Sequence, residues 1–108
     1  MKIENSKKSL FGKRLREARV NFGIPQDKLG VLIGIDEGCS SARISRYEAG
    51  IHAPPMAIAK NLSMALEVPL AYFYCEEDWL ANFLIQYNKL SLSSKKQLQS
   101  LIDDCISS

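Results

Sequence analysis

The sequence of 108 residues has no long apolar run and no cysteine pair at metal-ligand spacing. A membrane-spanning helix needs about 20 consecutive apolar residues, so no such span is expected, and the first residues lack a signal-peptide core. The three cysteines (Cys39, Cys75 and Cys105) are an odd number without a C-x-x-C motif. This usage argues against a disulfide framework or a zinc site. These absences predict a soluble protein of the reducing cytoplasm, without a membrane partner.

The sequence also lacks the residue constellations of common catalytic and cofactor sites. It contains no Ser/His/Asp or Cys/His arrangement, no glycine-rich phosphate loop and no paired carboxylates at meaningful spacing. The single histidine, His52, has no Cys/His/Asp cluster near it, so a metal role is not indicated. The sequence therefore predicts a protein that is not an enzyme and uses neither cofactor nor metal.

Positive charge is concentrated in the first half of the chain. Residues 1–50 hold ten Lys and Arg against six Asp and Glu, whereas residues 51–108 hold four against six. The halves carry +4 and −2, which sum to the net charge of +2. Such asymmetry indicates an N-terminal half that faces an anion and a C-terminal half with a different task.

Apolar residues recur at helical spacing along almost the whole chain, and no period-two run is long enough for a sheet. The pattern predicts seven helices in one all-α body, and the length suits a single core. Ser9 is a suitable N-cap for the first helix, and Gly23 can end it in a left-handed conformation. Pro25 suits the first turn of the second helix.

Later boundaries are also marked by capping residues. Ser40 and Ser41 are both suitable N-caps for a short third helix, which Gly50 ends. Ser94 and Gln97 match a capping box for the last helix. We therefore expect the third helix to begin near residue 41 and the last one near residue 95.

The segment from Phe11 to Tyr74 carries several short motifs in a fixed order. They are Arg14-Leu15-Arg16-Glu17-Ala18-Arg19, Gln26-x-x-Leu29, Ile44-Ser45-Arg46-Tyr47-Glu48-x-Gly50, Pro54-Pro55 and Ala65-Leu66-x-Val68-Pro69. With these motifs the segment resembles the Cro/C1-type helix-turn-helix family, the DNA-binding domain of phage repressors and many bacterial regulators. The resemblance implies that the second helix crosses the phosphate backbone and the third lies in the major groove.

The expected fold is all-α, a five-helix lambda-repressor-like helix-turn-helix domain followed by a C-terminal pair of helices. Residues 1–8 form an N-terminal arm in this scheme, and residues 9–75 form the DNA-binding domain. Residues 76–108 lie outside the resemblance and form a helical extension.

Candidate base-reading residues lie on the third helix. The resemblance assigns this role to Ser41, Ala42, Ser45 and Arg46, and Arg43 lies beside them. Arginine can bind guanine through two hydrogen bonds, which suits an outward arginine pair on a helix of groove size. For Arg43, a phosphate or solvent contact is an equal alternative.

Candidate phosphate-binding residues flank that helix. Gln26 occupies the position from which the family binds a phosphate. Further candidates near the backbone are Lys28, Ser40 and His52, and the alternative for His52 is an exposed loop residue without a role. The resemblance also pairs Arg19 with Glu48 in a partly buried ion pair, so we expect these two to hold the first helix to the third.

The sequence departs from the family at two places in the helix pair. The family usually has alanine after Leu29, whereas this chain has Gly30. A glycine there indicates close approach of the two helices, and the alternative is a frayed helix end. The stretch Asp36-Glu37-Gly38-Cys39 adds about four residues before the third helix, so we expect a long loop and an inert thiol at Cys39, and the docking angle of the third helix is left open.

The C-terminal extension holds more apolar side chains than a small domain needs. We expect them to form a two-fold dimer, because dimers of this motif reach two half-sites one DNA turn apart. The alternative is that these helices pack back onto their own domain. The candidate dimerisation residues are Trp79, Leu80, Phe83, Leu84, Tyr87, Leu98, Leu101 and Ile102.

Taken together, these features favour a sequence-specific, double-stranded DNA-binding transcriptional regulator of bacterial or phage origin, acting as a repressor and a homodimer. The alternative is a protein-interaction module, such as an antitoxin or an antirepressor partner. In that case the acidic, aromatic C-terminal third would be the working surface.

Overall fold

The computed structural model describes residues 9–108, and this range is helical with no strand. The elements are α1 (Leu10–Phe22), α2 (Gln26–Leu32), α3 (Glu37–Ala49), α4 (Met56–Leu66), a 3₁₀ helix (Leu70–Tyr74), α5 (Asp78–Asn88) and α6 (Leu92–Ser107). The predicted all-α fold is confirmed. The predicted N-terminal arm, residues 1–8, lies outside the described residues.

The boundaries of α1 follow the capping residues of the sequence. The Ser9 hydroxyl accepts a hydrogen bond from the Gly12 amide at 2.9 Å. Gly23 adopts a left-handed conformation with φ of 81°, and its amide bonds the carbonyl groups of the last turn. This geometry satisfies backbone groups that the helix leaves free at both ends.

One apolar core holds the first four helices and the 3₁₀ helix together. Leu15, Leu29, Ile44, Leu62 and Phe73, which come from five different elements, are fully buried. Each side chain of this kind contributes about 1.5–3 kcal/mol when it leaves water. The core therefore fixes the positions of α2 and α3 relative to α1. These positions determine which face of α3 is exposed to solvent.

The predicted long loop before the third helix is wrong. The helix begins at Glu37, and the Asp36 side chain caps it by accepting a hydrogen bond from the Gly38 amide at 3.4 Å. An N-cap aspartate and a glutamate in the first turn both favour a helix start, and together they outweigh the low helix propensity of glycine. The extra residues therefore lengthen α3 at its N-terminus, and Ser40 and Ser41 lie inside it.

The start of the last helix also differs from the prediction. The Ser91 hydroxyl caps α6 by accepting a hydrogen bond from the Ser94 amide at 3.1 Å, so Ser94 lies within the first turn. The serine-rich stretch offers several possible N-caps with the same chemistry. The sequence pattern therefore predicted an N-cap about one turn later than the one observed.

The extension divides into a docked helix and a projecting one. In α5, Ala81 is almost fully buried and Ile85 packs on the core. In α6, no residue is buried. None of the helices described between residues 9 and 108 has the length and apolar character to span a bilayer.

Candidate nucleic-acid interface

Helices α2 and α3 touch at Gly30. A Cβ atom at this glycine would lie 1.9 Å from the Ser40 Oγ atom and 2.8 Å from its Cβ atom. The position therefore tolerates no side chain without movement of α3, which agrees with the interpretation of Gly30 as a close-approach residue. The Ser40 hydroxyl donates to the Asp27 carbonyl oxygen at 2.5 Å and links the two helices again.

The two faces of α3 have different environments. Ser40, Ile44 and Tyr47 point into the protein and are buried. The candidate base-reading residues are all exposed: Ser41, Ala42, Arg43, Ser45 and Arg46. Among residues 9–108, none of these five side chains forms a hydrogen bond, and neither arginine forms an ion pair. The structure therefore gathers the five candidates on one free surface.

The last turn of α3 is held by a cluster around Glu48, whose side chain is only 6% exposed. The Arg19 Nε atom lies 2.5 Å from one carboxylate oxygen, and its Nη2 atom lies 3.2 Å from the other. The Gln26 amide donates to the carboxylate at 3.0 Å, and an Arg16 Nη1 atom lies 3.9 Å away. Arg19 also donates to the Ile24 carbonyl oxygen at 3.2 Å. The predicted partners Arg19 and Glu48 are thus in contact, and the cluster joins α1, α2 and α3.

The candidate phosphate-binding residues fall into two groups. Lys28 and His52 are exposed, and Gln26 is half-buried with its amide directed by Glu48. Ser40 is fully buried, so the expectation of a phosphate contact does not hold for it. It was expected at the exposed start of a helix, and the additional turn at the N-terminus of α3 places it in the interior instead.

Arg14 has a role that the sequence analysis missed. Its side chain is 2% exposed, and its Nε atom donates to the Cys75 carbonyl oxygen at 2.9 Å. Its Nη2 atom donates to the Glu76 carbonyl oxygen at 3.2 Å and to the Asp78 carboxylate at 3.0 Å. Its Nη1 atom donates to Glu17 at 3.0 Å. One arginine thus binds two backbone and two side-chain acceptors.

A signal for this burial was present in the sequence. Arg14 follows Phe11 by three residues and precedes Ala18 by four, so it lies on the apolar stripe of α1. A charge on a buried stripe needs several partners. Two of those partners are main-chain atoms about sixty residues away, which a sequence pattern does not identify.

The charges around Arg14 shift pKa values in directions set by their contacts. Burial lowers the pKa of Arg14, but the hydrogen bonds to Glu17 and Asp78 outweigh it, so the pKa is raised. Hydrogen bonds from Arg14 and Lys13 lower the pKa of Asp78. Burial, followed by the hydrogen bond to Glu17, raises the pKa of the Tyr72 phenol. These directions keep Arg14 and Asp78 charged and Tyr72 protonated at neutral pH.

The candidate dimerisation residues lie on α5 and α6, and three of them form a row of aromatic rings on α5. The rings of Trp79 and Phe83 stack with centroids 5.9 Å apart, and those of Phe83 and Tyr87 lie 6.4 Å apart. We call these three residues the aromatic row; Trp79 is 75% exposed. Leu80, Leu84 and Leu98 are partly exposed, and Leu101 and Ile102 are exposed. The alternative, in which both helices pack back on their own domain, applies to α5, whereas α6 has no buried residue.

Comparison with known proteins gives consistent similarities. A family model described as Helix-turn-helix matches residues 15–73. Two curated proteins, described as uncharacterized HTH-type transcriptional regulators of Sinorhizobium medicae and Rhizobium meliloti, are 34% identical over 77 residues. These matches cover 67% of this chain and 52% of each relative, so the chain spans about half the length of those proteins.

The structure is also similar to a solved crystal structure described as transcriptional regulator BswR. The two chains are 42% identical and superpose with a TM-score of 0.83. The match covers 86% of this chain and 92% of that one, so it extends beyond the part matched by the family model.

Proposed function

Because the chain belongs to the Cro/C1-type helix-turn-helix family, we propose that it is a sequence-specific transcriptional regulator that binds double-stranded DNA. In this proposal the outer face of α3 enters the major groove. A repressor role follows if the bound protein occupies an operator and excludes other proteins from it. The protein performs no chemistry on the DNA.

The observation that carries the proposal is the free outer face of α3. The proposed base-reading residues are Ser41, Ala42, Arg43, Ser45 and Arg46. A helix of 13 residues is about 20 Å long, and the major groove is about 12 Å wide and admits one helix. Arg43 and Arg46 have no partner among the described residues, so their guanidinium groups are available for base edges or phosphates.

Phosphate contacts are proposed for Gln26, Lys28 and His52. The Gln26 amide nitrogen carries two hydrogens, and Glu48 accepts one of them. The second can reach a phosphate oxygen while Glu48 keeps the side chain in place. Such contacts position a protein on DNA without reading its sequence.

A homodimer through the extension is the second part of the proposal. Helix α6 has no buried residue, although Leu98, Leu101 and Ile102 form an apolar stripe at helical spacing. An isolated helix of this length is marginal in water, so a packing partner is required. A second copy offers the aromatic row of α5, in which Trp79 and Tyr87 are exposed. Two copies then carry two recognition helices to two half-sites.

Selection from a random pool of duplexes tests the proposal. We expect the protein to recover a two-fold symmetric motif. Replacing Arg46 with alanine should relax the preference at one base pair, at a cost of about 1–3 kcal/mol for the selected base. Replacing Gln26 with alanine should weaken binding to all sequences alike. Lys96→Ala, which removes a charge from α6, is the control for net charge.

The result that contradicts base reading is an equal loss of affinity on unrelated duplexes for Arg46→Ala. A protein that selects no motif at all contradicts the proposal as a whole.

A protein-interaction module is the second candidate, and the exposure of Trp79 at 75% favours it. Salt dependence separates the two candidates. DNA binding should weaken with salt with a log–log slope of about −0.9 for each phosphate neutralised. A regulator that binds its partner through the aromatic row should show little dependence on salt.

A further inference from the structure

We propose that Arg14 is a positioning residue that fixes the direction of α5 relative to α3. In a dimer this direction sets the separation of the two half-sites that the protein accepts. The inference rests on the proposed function, in which α3 reads DNA and the extension joins two copies.

Arg14 anchors the beginning of α5 at three points. It donates to the carbonyl oxygens of Cys75 and Glu76, which immediately precede the helix, and to the carboxylate of Asp78, its first residue. The guanidinium group is planar and its donors point in fixed directions. Three bonds from one planar group define an orientation as well as a position.

Helix α1, which contains Arg14, also contacts the C-terminal end of α3. A Cβ atom at Gly12 would lie 2.4 Å from the Glu48 carbonyl oxygen, so α1 contacts the backbone of the last turn of α3. Arg19 binds the Glu48 carboxylate. Thus α1, with 13 residues and about 20 Å of length, contacts the recognition helix and the start of the extension at once.

The other contacts of α5 are less directional. Ala81 and Ile85 pack on the core through apolar surface, which holds a helix in place but allows it to pivot. The other side-chain hydrogen bonds of α5 are longer: Lys13 donates to the Asp78 carboxylate at 3.4 Å, and at the far end the Asn88 amide donates to the Glu67 carbonyl oxygen at 3.4 Å. The short bonds of Arg14 are therefore the main constraint on direction.

DNA geometry converts that direction into a preference for spacing. One turn holds about 10–10.5 base pairs, so one extra base pair rotates a half-site by about 35°. A dimer whose extensions are held rigidly cannot follow this rotation without strain. A dimer with a pivoting α5 can.

The test measures binding to duplexes that carry two copies of the half-site recovered from the random pool, with the spacing varied one base pair at a time. A duplex with one half-site is measured in parallel. The variants are Arg14→Lys, which keeps the charge but offers a single point of contact, and Asp78→Ala, which removes one acceptor. Lys60→Ala is the control, because it removes a charge from an exposed side chain of α4 that forms no hydrogen bond or ion pair within residues 9–108.

For the natural protein we expect the best spacing to bind about tenfold more tightly than its neighbours. For Arg14→Lys and Asp78→Ala we expect this ratio to fall below about threefold, while single half-site affinity changes by less than about twofold. Lys60→Ala should keep the tenfold ratio. If Arg14→Lys does not fold, Asp78→Ala decides the matter, because that side chain is 77% exposed.

Two results overturn the inference in distinguishable ways. If the natural protein prefers one spacing and both variants keep the preference, Arg14 does not set the direction of α5. If the natural protein selects a motif without two-fold symmetry, the proposed homodimer fails and this inference fails with it; if it selects no motif at all, the proposed function fails as a whole.

Discussion

Replacing Gly30 with alanine should destabilise the protein, although alanine is the better helix former. The substitution gains about 1 kcal/mol of helix propensity. Against this gain, the new Cβ atom would lie 1.9 Å from the Ser40 hydroxyl oxygen. Moving the hydroxyl breaks its bond to Asp27, which costs about 1 kcal/mol, and overpacking costs about 1–3 kcal/mol more. We expect a net loss of about 1–3 kcal/mol.

Urea unfolding followed by circular dichroism measures this loss, and Gly38 provides a matched control. Gly38 also lies in a helix, but a Cβ atom there meets only an Asp36 oxygen at 3.5 Å. Gly38→Ala should therefore stabilise the protein by up to about 1 kcal/mol. In a Ser40→Ala background the cost of Gly30→Ala should fall by about 1 kcal/mol, because the closest contact is gone. If both glycine substitutions stabilise the protein equally, the close packing of α2 on α3 is refuted.

Three further predictions concern the charges and the extension. Arg19→Ala should lower stability by about 3 kcal/mol and lower the melting temperature together with DNA affinity; lost affinity with an unchanged melting temperature would contradict its scaffold role. Because Arg14 and Lys13 lower the pKa of Asp78, the stabilisation by this carboxylate is present above its ordinary pKa of about 3.9 and is lost as the pH falls through the lowered value. Asp78→Asn should therefore reduce stability at neutral pH, and a melting-temperature deficit that persists unchanged into strong acid would count against the contact. Phe83→Ser should shift a dimer to monomer in sedimentation equilibrium, whereas an unchanged mass would exclude the aromatic row as the interface.

The helix boundaries that the sequence predicted correctly depend on local chemistry. Ser9 and Gly23 delimit α1 through contacts within one turn, so their identities alone were sufficient. The start of α3 was predicted too late because Asp36 and Gly38 are common in turns as well as at helix starts. Whether such residues form a turn or a helix start depends on tertiary packing. The Ser40 bond to Asp27 contributes to that packing across the helix pair.

The candidate site was predictable to a similar extent. The alternation of Ile44 and Tyr47 with polar residues was enough to separate the inner and outer faces of α3. The anchoring of α5 could not be predicted from the sequence, because the partners of Arg14 include carbonyl oxygens of Cys75 and Glu76. Every residue type has such an oxygen, so no pattern of side chains marks these positions.

The outer face of α3 is not part of the packing that holds residues 9–108 together. Its five exposed side chains form no hydrogen bond within residues 9–108, whereas the inner side of the same helix is fully committed to the core. Substitutions can thus accumulate there without loss of folding, and under the proposed function they would change the preferred DNA sequence by small steps. A library randomised at residues 41, 42, 45 and 46 should yield mostly well-folded proteins with diverse preferences.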